Sequence, residues 1–367
     1  MLEVGMDRRR LAGALAALLL LAAACSSTPA PAPAPVPTAT PTRTTLAAQI
    51  EDYIGTYGAG FVNIRSVRVQ VDGTSRLEYY RDGADASSHL HVFSVTKSVV
   101  SILIGIAIAE GKITGTDGTL AELLPDHAAD MTKVQRRITL EQLLTMSGGL
   151  PDDAQFDHSR FEDSVENILD LPLQAPPGEE FIYSNVGAHL VNAVLAEAVG
   201  ESPLEYGRRV LFDPLGIDTE PAYVRPESDL GGSAAFQAAD FAWATDADGV
   251  NNGCCMLRLT ADDMVALGQL YLDQGRVGNR VVVPAEWVRA STQPSETDLA
   301  YGYLWWLTEF RGGRPAVAAM GAFGQVIMVV PDLRAVITVG SAMPEGEVLE
   351  PENVLAMINE VVGPALT

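Results

Sequence analysis

The sequence predicts an α+β fold, an antiparallel sheet flanked by helices and drawn from both ends of the chain, with a mainly helical lobe inserted between its halves. Three observations predict it. Val67, Val69 and Val71 alternate with polar residues, and short β-rich runs return after Tyr301. The stretch between them is dominated by helical spacing and caps. Within it, a helix opening at Ser94 carries apolar residues around most of its circumference, so it belongs inside a domain.

Taken in order, Arg8, Arg9 and Arg10 precede an apolar run from Leu11 to Ala24. That run is too short for a comfortable membrane span and reads as an export signal. It ends Leu21-Ala22-Ala23-Ala24-Cys25, which resembles the lipobox of bacterial lipoproteins. The resemblance implies a signal peptide over 1–24, a lipidated Cys25, and a protein held on the outer face of the bacterial membrane by a lipid anchor alone. A periplasmic or secreted form is the alternative. Residues 25–45 are rich in Pro, Ala and Thr, which bury no core, and are expected to act as a tether. The folded part is expected over 46–367.

Ile50, Tyr53, Ile54 and Tyr57 have helical spacing, with Gly58 as a stop. Asp72-Gly73 is a turn signal between the Val67–Val71 strand and a return strand at Leu77–Tyr80. The apolar helix is expected from Ser94 to Glu110, before Gly111. Thr139-Leu140-Glu141-Gln142 is a capping box, Val186–Val199 is a helix closed by Gly200, and Thr260 caps a helix running to Gln274. Strands are expected at Tyr301–Thr308, Ala316–Met320, Gln325–Val330 and Arg334–Val339, forming an antiparallel meander, and a helix at Glu350–Val362 follows.

The formal charge of −23 makes nucleic acid and anionic lipid poor partners. Cys254 and Cys255 are adjacent, and because a vicinal bridge closes a strained ring they are expected as two small buried thiols. No metal site or organic cofactor is expected. The pair His89-Leu90-His91 lacks the further ligands of a hydrolytic zinc centre and reads as surface loop. Gly231-Gly232-Ser233-Ala234-Ala235 lacks the preceding strand and final glycine of a nucleophile elbow.

Chemistry concentrates in two places. Ser94-Val95-Thr96-Lys97 puts a hydroxyl and an amine three residues apart on one helical face. The apolar helix beyond Lys97 favours a neutral amine able to take a proton, although a capping serine beside a snorkelling lysine would look the same. About ninety residues on, Tyr183-Ser184-Asn185 follows Pro176-Pro177-Gly178 and precedes a helix. There a phenol could relay a proton and an amide could hold a carbonyl.

In this order and at this separation, the two motifs resemble the serine β-lactamase and penicillin-binding-protein superfamily. The closest branch is the class C, or AmpC-like, one, with its esterases and 6-aminohexanoate-dimer-hydrolase-like members. Further matching stretches are Ile138-Thr139-Leu140-Glu141-Gln142-Leu143-Leu144-Thr145-Met146-Ser147-Gly148-Gly149, Pro177-Gly178-Glu179, Asp213-Pro214-Leu215-Gly216 and Tyr301-Gly302-Tyr303 with Trp305-Trp306. The resemblance implies a β-lactamase/DD-peptidase-like fold, with an α/β lobe at about 46–98 and 285–367 and a helical lobe at about 99–284. It implies that Ser94 is acylated, that Lys97 and Tyr183 move the proton, and that Asn185 positions substrate. It also implies an oxyanion hole of the Ser94 and Ala322 N–H groups, beside Gly321.

The third motif departs from the family. Where Lys-Thr-Gly or His-x-Gly is usual, this chain reads Ala319-Met320-Gly321-Ala322-Phe323-Gly324-Gln325. The cation that pairs with a carboxylate of a β-lactam or D-Ala-D-Ala peptide is missing. The expected substrate is therefore a small-molecule ester or amide, or a cell-wall-derived peptide, cleaved by an exported serine hydrolase more esterase- or amidase-like than β-lactamase-like. The alternatives are a non-catalytic envelope lipoprotein that binds peptidoglycan fragments and a weak β-lactamase or DD-peptidase. Trp243 lies where relatives place a loop over the pocket, as an acyl-binding wall or a surface-anchoring aromatic. Tyr301, Trp305 and Trp306 read as sheet core. The sequence leaves the oligomeric state open.

Overall fold

Strand alternation at both ends of the chain closes into one sheet. The computed structural model describes residues 44–151, 165–225, 233–343 and 347–367, and Thr44–Thr367 forms one compact unit. The expected signal peptide, Cys25 and nearly all of the tether lie outside the described residues, as do Gly231 and Gly232.

Twelve strands are present among the described residues: β1 (Ile64–Val71), β2 (Thr74–Tyr80), β3 (Leu90–His91), β4 (Ala222–Tyr223), β5 (Phe241–Trp243), β6 (Leu257–Leu259), β7 (Arg276–Val277), β8 (Arg280–Val281), β9 (Trp306–Phe310), β10 (Arg314–Gly321), β11 (Gln325–Val330) and β12 (Ala335–Ser341). The main sheet runs β2-β1-β12-β11-β10-β9, each pair antiparallel. The predicted hairpin turns at Asp72-Gly73, and the predicted meander is β9 to β12. A second sheet, β3-β6-β5-β4, sits beside the turn that leads into Ser94.

Every residue of β11 is buried, and its two faces feed two apolar clusters. Val326, Met328 and Val330 pack with Ile50 and Ile54 of the Leu46–Tyr57 helix and with Val354, Met357 and Ile358 near the C-terminus. Ile327 and Val329 pack into the larger cluster with the Val95–Ala109 and Asn185–Val199 helices. A strand covered on both sides has to be apolar throughout, which is why this run reads as continuous rather than alternating.

The Val95–Ala109 helix has thirteen of its fifteen residues buried, so it is central, as its apolar circumference predicts. Gly105 lets it approach the Trp287 indole, since a Cβ there would lie 2.3 Å from the ring. The Thr139 capping box and the Gly200 stop of the Asn185–Val199 helix are both formed.

The boundaries depart from the sequence in several places, among them the Thr260-capped helix, which ends at Leu272 and not at Gln274. The first strand of the meander starts at Trp306, because Tyr301-Gly302-Tyr303 folds into a tight turn. Gly302 donates to Trp305 O at 2.9 Å, and a Cβ on it would lie 2.2 Å from Ser291 O. Arg334 sits in the preceding turn at φ 47°, so β12 starts at Ala335. The last helix spans Pro351–Met357 and continues through a wider π turn at Ile358–Val362 to Leu366. Leu90-His91 is strand β3 rather than surface loop, pairing with β6, and His91 is buried.

Candidate active site

Val92 enters the site tied to the second sheet, donating to Leu257 O at 2.9 Å. Phe93 then takes φ 48°, a conformation uncommon for a non-glycine residue, and the chain turns sharply into the helix at Ser94. Ser94 is the N-cap, yet its side chain makes no capping hydrogen bond. Its Oγ instead accepts from Lys97 Nζ at 3.0 Å.

Lys97 is 1% exposed, although lysine is almost never fully buried without partners. Its Nζ also donates to Asn185 Oδ1 and, at 3.1 Å, to the Cys254 carbonyl. Nζ lies 4.8 Å from the centroid of the Tyr183 ring. The structure thus brings Ser94, Lys97, Tyr183 and Asn185 together from two helices and a turn. The Cys254 carbonyl is a backbone partner that side-chain motifs could not reveal.

The matching stretch before Gly149 explains how Tyr183 and Asn185 are held. Ile182 donates to Met146 O at 2.8 Å, and Gly178 donates to Ser147 O at 2.7 Å. Ser184 caps the Asn185–Val199 helix by accepting from Gly187 N at 3.1 Å, fixing Asn185 at its first turn. Tyr183 stacks on Trp306 at 5.8 Å between centroids and meets Tyr301 edge-on at 6.4 Å.

Across the site, β10 ends against the turn at Val92–Ser94. A Cβ on Gly321 would lie 2.3 Å from Val92 O and 3.1 Å from Ser94 N, so glycine is required for this approach. Ala322 follows, then Phe323 at φ 62°, whose ring meets the Phe93 ring edge-on at 4.8 Å. Ser94, Tyr183, Asn185, Gly321 and Ala322 all line one cavity of about 310 Å³, together with Trp306, Cys255 and Met320. Ala319, at the usual cation position, is a residue of β10 and is wholly buried. Gln325 is fully buried and exchanges two hydrogen bonds with the Ser341 backbone, tying β11 to the end of β12.

Three expectations are corrected here. Trp243 is neither a pocket wall nor a surface anchor: it is fully buried, donates from Nε1 to Asn252 O at 2.8 Å and packs edge-on against Phe212. Trp306 is not only sheet core but the aromatic wall of the cavity. Cys254 and Cys255 are joined as a vicinal disulfide rather than present as two thiols. The Asn252 carboxamide oxygen accepts from both of their backbone N–H groups and braces the turn that carries the Lys97 partner.

A buried pair behind the cavity supports that turn. His189 contacts Asp246 through Nε2 at 3.0 Å and accepts from Gly253 N through Nδ1 at 3.2 Å. His91 stacks on Phe93 at 3.7 Å between centroids and accepts from Met256 N through Nε2. Burial, reinforced by the Arg258 charge, pushes the His91 pKa down to about 3. Arg258 is itself pushed down to about 10 by burial, with Asp240 opposing. Among the described residues, His127, Asp130 and Glu166 bring possible metal-ligand atoms within 4.8 Å of one another, but none of them lines the cavity.

The arrangement has the parts of nucleophilic acyl transfer: a hydroxyl in contact with an amine, and two backbone segments meeting beside it. The family model described as Beta-lactamase matches residues 46–355. A provisionally named D-alanyl-D-alanine carboxypeptidase of Escherichia coli (strain K12) is 24% identical over 234 residues, 54% of this chain and 54% of the relative. The chain thus spans about half the length of that relative. Among solved structures, EstCE1, a hydrolase with promiscuous acyltransferase activity, superimposes with a TM-score of 0.66 at 16% identity, covering 87% of this chain and 98% of the other. An octameric penicillin-binding protein homologue from Pyrococcus abyssi gives 0.65 at 17% identity, covering 87% and 77%. These two likenesses are of fold. With the family match spanning most of its length, the chain belongs to the beta-lactamase family.

Proposed function

We propose that the protein is an exported serine hydrolase that cleaves an ester or amide through an acyl-enzyme on Ser94. The reacting state has a neutral Lys97 amine, donating to Asn185 Oδ1 and the Cys254 carbonyl, so that Ser94 Oγ gives up its proton to the Lys97 lone pair as it attacks the carbonyl carbon. The N–H groups of Ser94 and Ala322 hold the oxyanion. The proton passes by way of Tyr183 to the departing alcohol or amine as the carbonyl–heteroatom bond breaks. Water then attacks the acyl-enzyme and restores Ser94, while Asn185 orients the bound carbonyl. The observation that carries the reading is the 3.0 Å contact between Lys97 Nζ and Ser94 Oγ at the wall of a cavity closed by Gly321 and Ala322.

The buried Ala319 disfavours β-lactams and D-Ala-D-Ala peptides, because nothing at that position can pair with their carboxylate. Exported status and a lipid anchor at Cys25 are part of the proposal. The test is a substrate panel of p-nitrophenyl esters, linear amides, nitrocefin and D-Ala-D-Ala peptides, run beside fluorophosphonate labelling. Ester turnover and labelling are expected in the wild type, with a loss of at least about a thousandfold in Ser94→Ala. Unlabelled wild-type protein without ester turnover would favour a peptidoglycan-binding protein, and rapid nitrocefin turnover would overturn the argument from Ala319.

A further inference from the structure

The charge of the cavity is opposite to what a carboxylate-bearing substrate needs. Its lining includes Glu350 and Glu352, both solvent-exposed at its rim, and among the described residues no lysine, arginine or histidine, the Lys97 amine lying behind Ser94. Neither carboxylate takes part in an ion pair among the described residues. Both stand on ordered backbone: Glu350 is the N-cap of the Pro351–Met357 helix, and buried Leu349 and Val354 anchor the chain on either side. Leu349 packs where a Cβ on Gly324 would lie 2.7 Å from its Cδ2, so the segment is seated beside the third-motif turn. The cavity also presents the Trp306 ring, while the Tyr183 ring is engaged by Trp306 and by the Lys97 amine. Carboxylates in a concave site attract cations and repel anions, and aromatic faces add to the attraction.

We propose that the substrate carries a cationic group beside the scissile ester or amide, recognised by Glu350 and Glu352 together with the Trp306 ring. This rests on the hydrolase reading above and names its substrate class. Ser94 and Lys97 make the cavity a reaction site, and the two carboxylates set its sign.

The test uses the full chain and matched pairs of probes differing only in charge. Acetylthiocholine is compared with its counterpart bearing a tert-butyl group in place of trimethylammonium, which places the charge on the leaving side. The p-nitrophenyl ester of a trimethylammonio-substituted butyric acid and its tert-butyl counterpart place it on the acyl side. A p-nitrophenyl glutarate monoester supplies the anionic control. At low ionic strength, kcat/KM for at least one cationic probe should exceed its neutral counterpart by about fivefold, with the anionic ester slowest. The preference should shrink as salt is added and disappear in Glu350→Gln/Glu352→Gln, read as the ratio within each pair.

If that double variant loses its folding transition, Glu352→Gln alone and the salt dependence of the wild type carry the test. Neutral probes turned over as fast as both cationic ones, or a preference unchanged by the substitutions, overturns the proposal and leaves the hydrolase reading intact. No turnover of any ester with no fluorophosphonate label on Ser94 overturns both.

Discussion

Phe93 and Phe323 bracket Ser94 and Ala322, and both take positive φ, at 48° and 62°. A phenylalanine in that region is costly, by about 1 kcal/mol or more each, and persists only where the surroundings over-determine it. Here the two rings meet edge-on, and His91 stacks on Phe93. His91 is therefore part of what holds the nucleophile turn. Its Nε2 accepts from Met256 N, so it has to be neutral to do this work, and its pKa is held at about 3. In the unfolded chain a histidine titrates near 6.5. The unfolded state thus binds one more proton than the native state between about pH 6.5 and pH 3, and the stabilisation is complete above that window and lost as pH falls through it. The slope is at most about 1.4 kcal/mol per pH unit. We predict that urea unfolding of the wild type weakens through this window and that His91→Gln, which keeps an acceptor for Met256 N, flattens the acid limb. Equal pH dependence in both proteins would refute it.

At the level of elements, the site depends on how closely β10 can run past the nucleophile turn. A Cβ on Gly321 meets the Val92 carbonyl at 2.3 Å, and that carbonyl also accepts from Val95 N, so it cannot move aside freely. We predict that Gly321→Ala costs about 1–3 kcal/mol of stability and lowers the fluorophosphonate labelling rate of Ser94 by about tenfold or more, because the oxyanion-hole strand is displaced. Gly55→Ala is the control: a Cβ there meets nothing within 4 Å in the Leu46–Tyr57 helix, so it should stabilise by about 0.5–1 kcal/mol and leave labelling unchanged. If both variants labelled like the wild type, the close approach would not matter to the site. Much of this level is legible in the sequence. The Asp72-Gly73 hairpin, the Thr139 box, the Gly200 stop and the spacing of Ser94 and Lys97 are local signals, and the structure contains each one. Trp243, His91 and the Cys254 carbonyl were not legible, because their roles come from long-range contacts: Trp243 with Phe212, His91 with Met256 and Arg258, Cys254 with Lys97. Trp306 was misread because the turn at Tyr301-Gly302-Tyr303 brings it beside Tyr183, and an aromatic run alone does not show a turn.

Across the whole molecule, the two ends of the folded unit support each other. Ile50 and Ile54 of the first helix are buried in the same cluster as Ile358, Val361 and Val362 near the C-terminus, on the sheet face opposite the nucleophile helix. Thr45 caps that first helix by accepting from Ala48 N at 3.2 Å, so the helix has its own start signal within the folded unit. A chain beginning at Thr44 should therefore keep the full-length melting temperature and the ester turnover of the full chain. One beginning at Gly58 gives up the burial of both isoleucines, worth about 3–6 kcal/mol, and should melt lower by at least about 6 °C. Differential scanning calorimetry on the three lengths reads this directly, and equal transitions for the Thr44 and Gly58 forms would show that the first helix is dispensable. The same series tests the proposed anchor, since the Thr44 form lacks Cys25. Made in a bacterium that lipidates such signals, the full chain should enter the detergent phase of a temperature-induced phase separation, while Cys25→Ala and the Thr44 form should stay in the aqueous phase. Aqueous partitioning of the full chain would remove the lipid anchor while leaving the catalytic proposal untouched, because nothing at Ser94, Lys97 or Tyr183 depends on it.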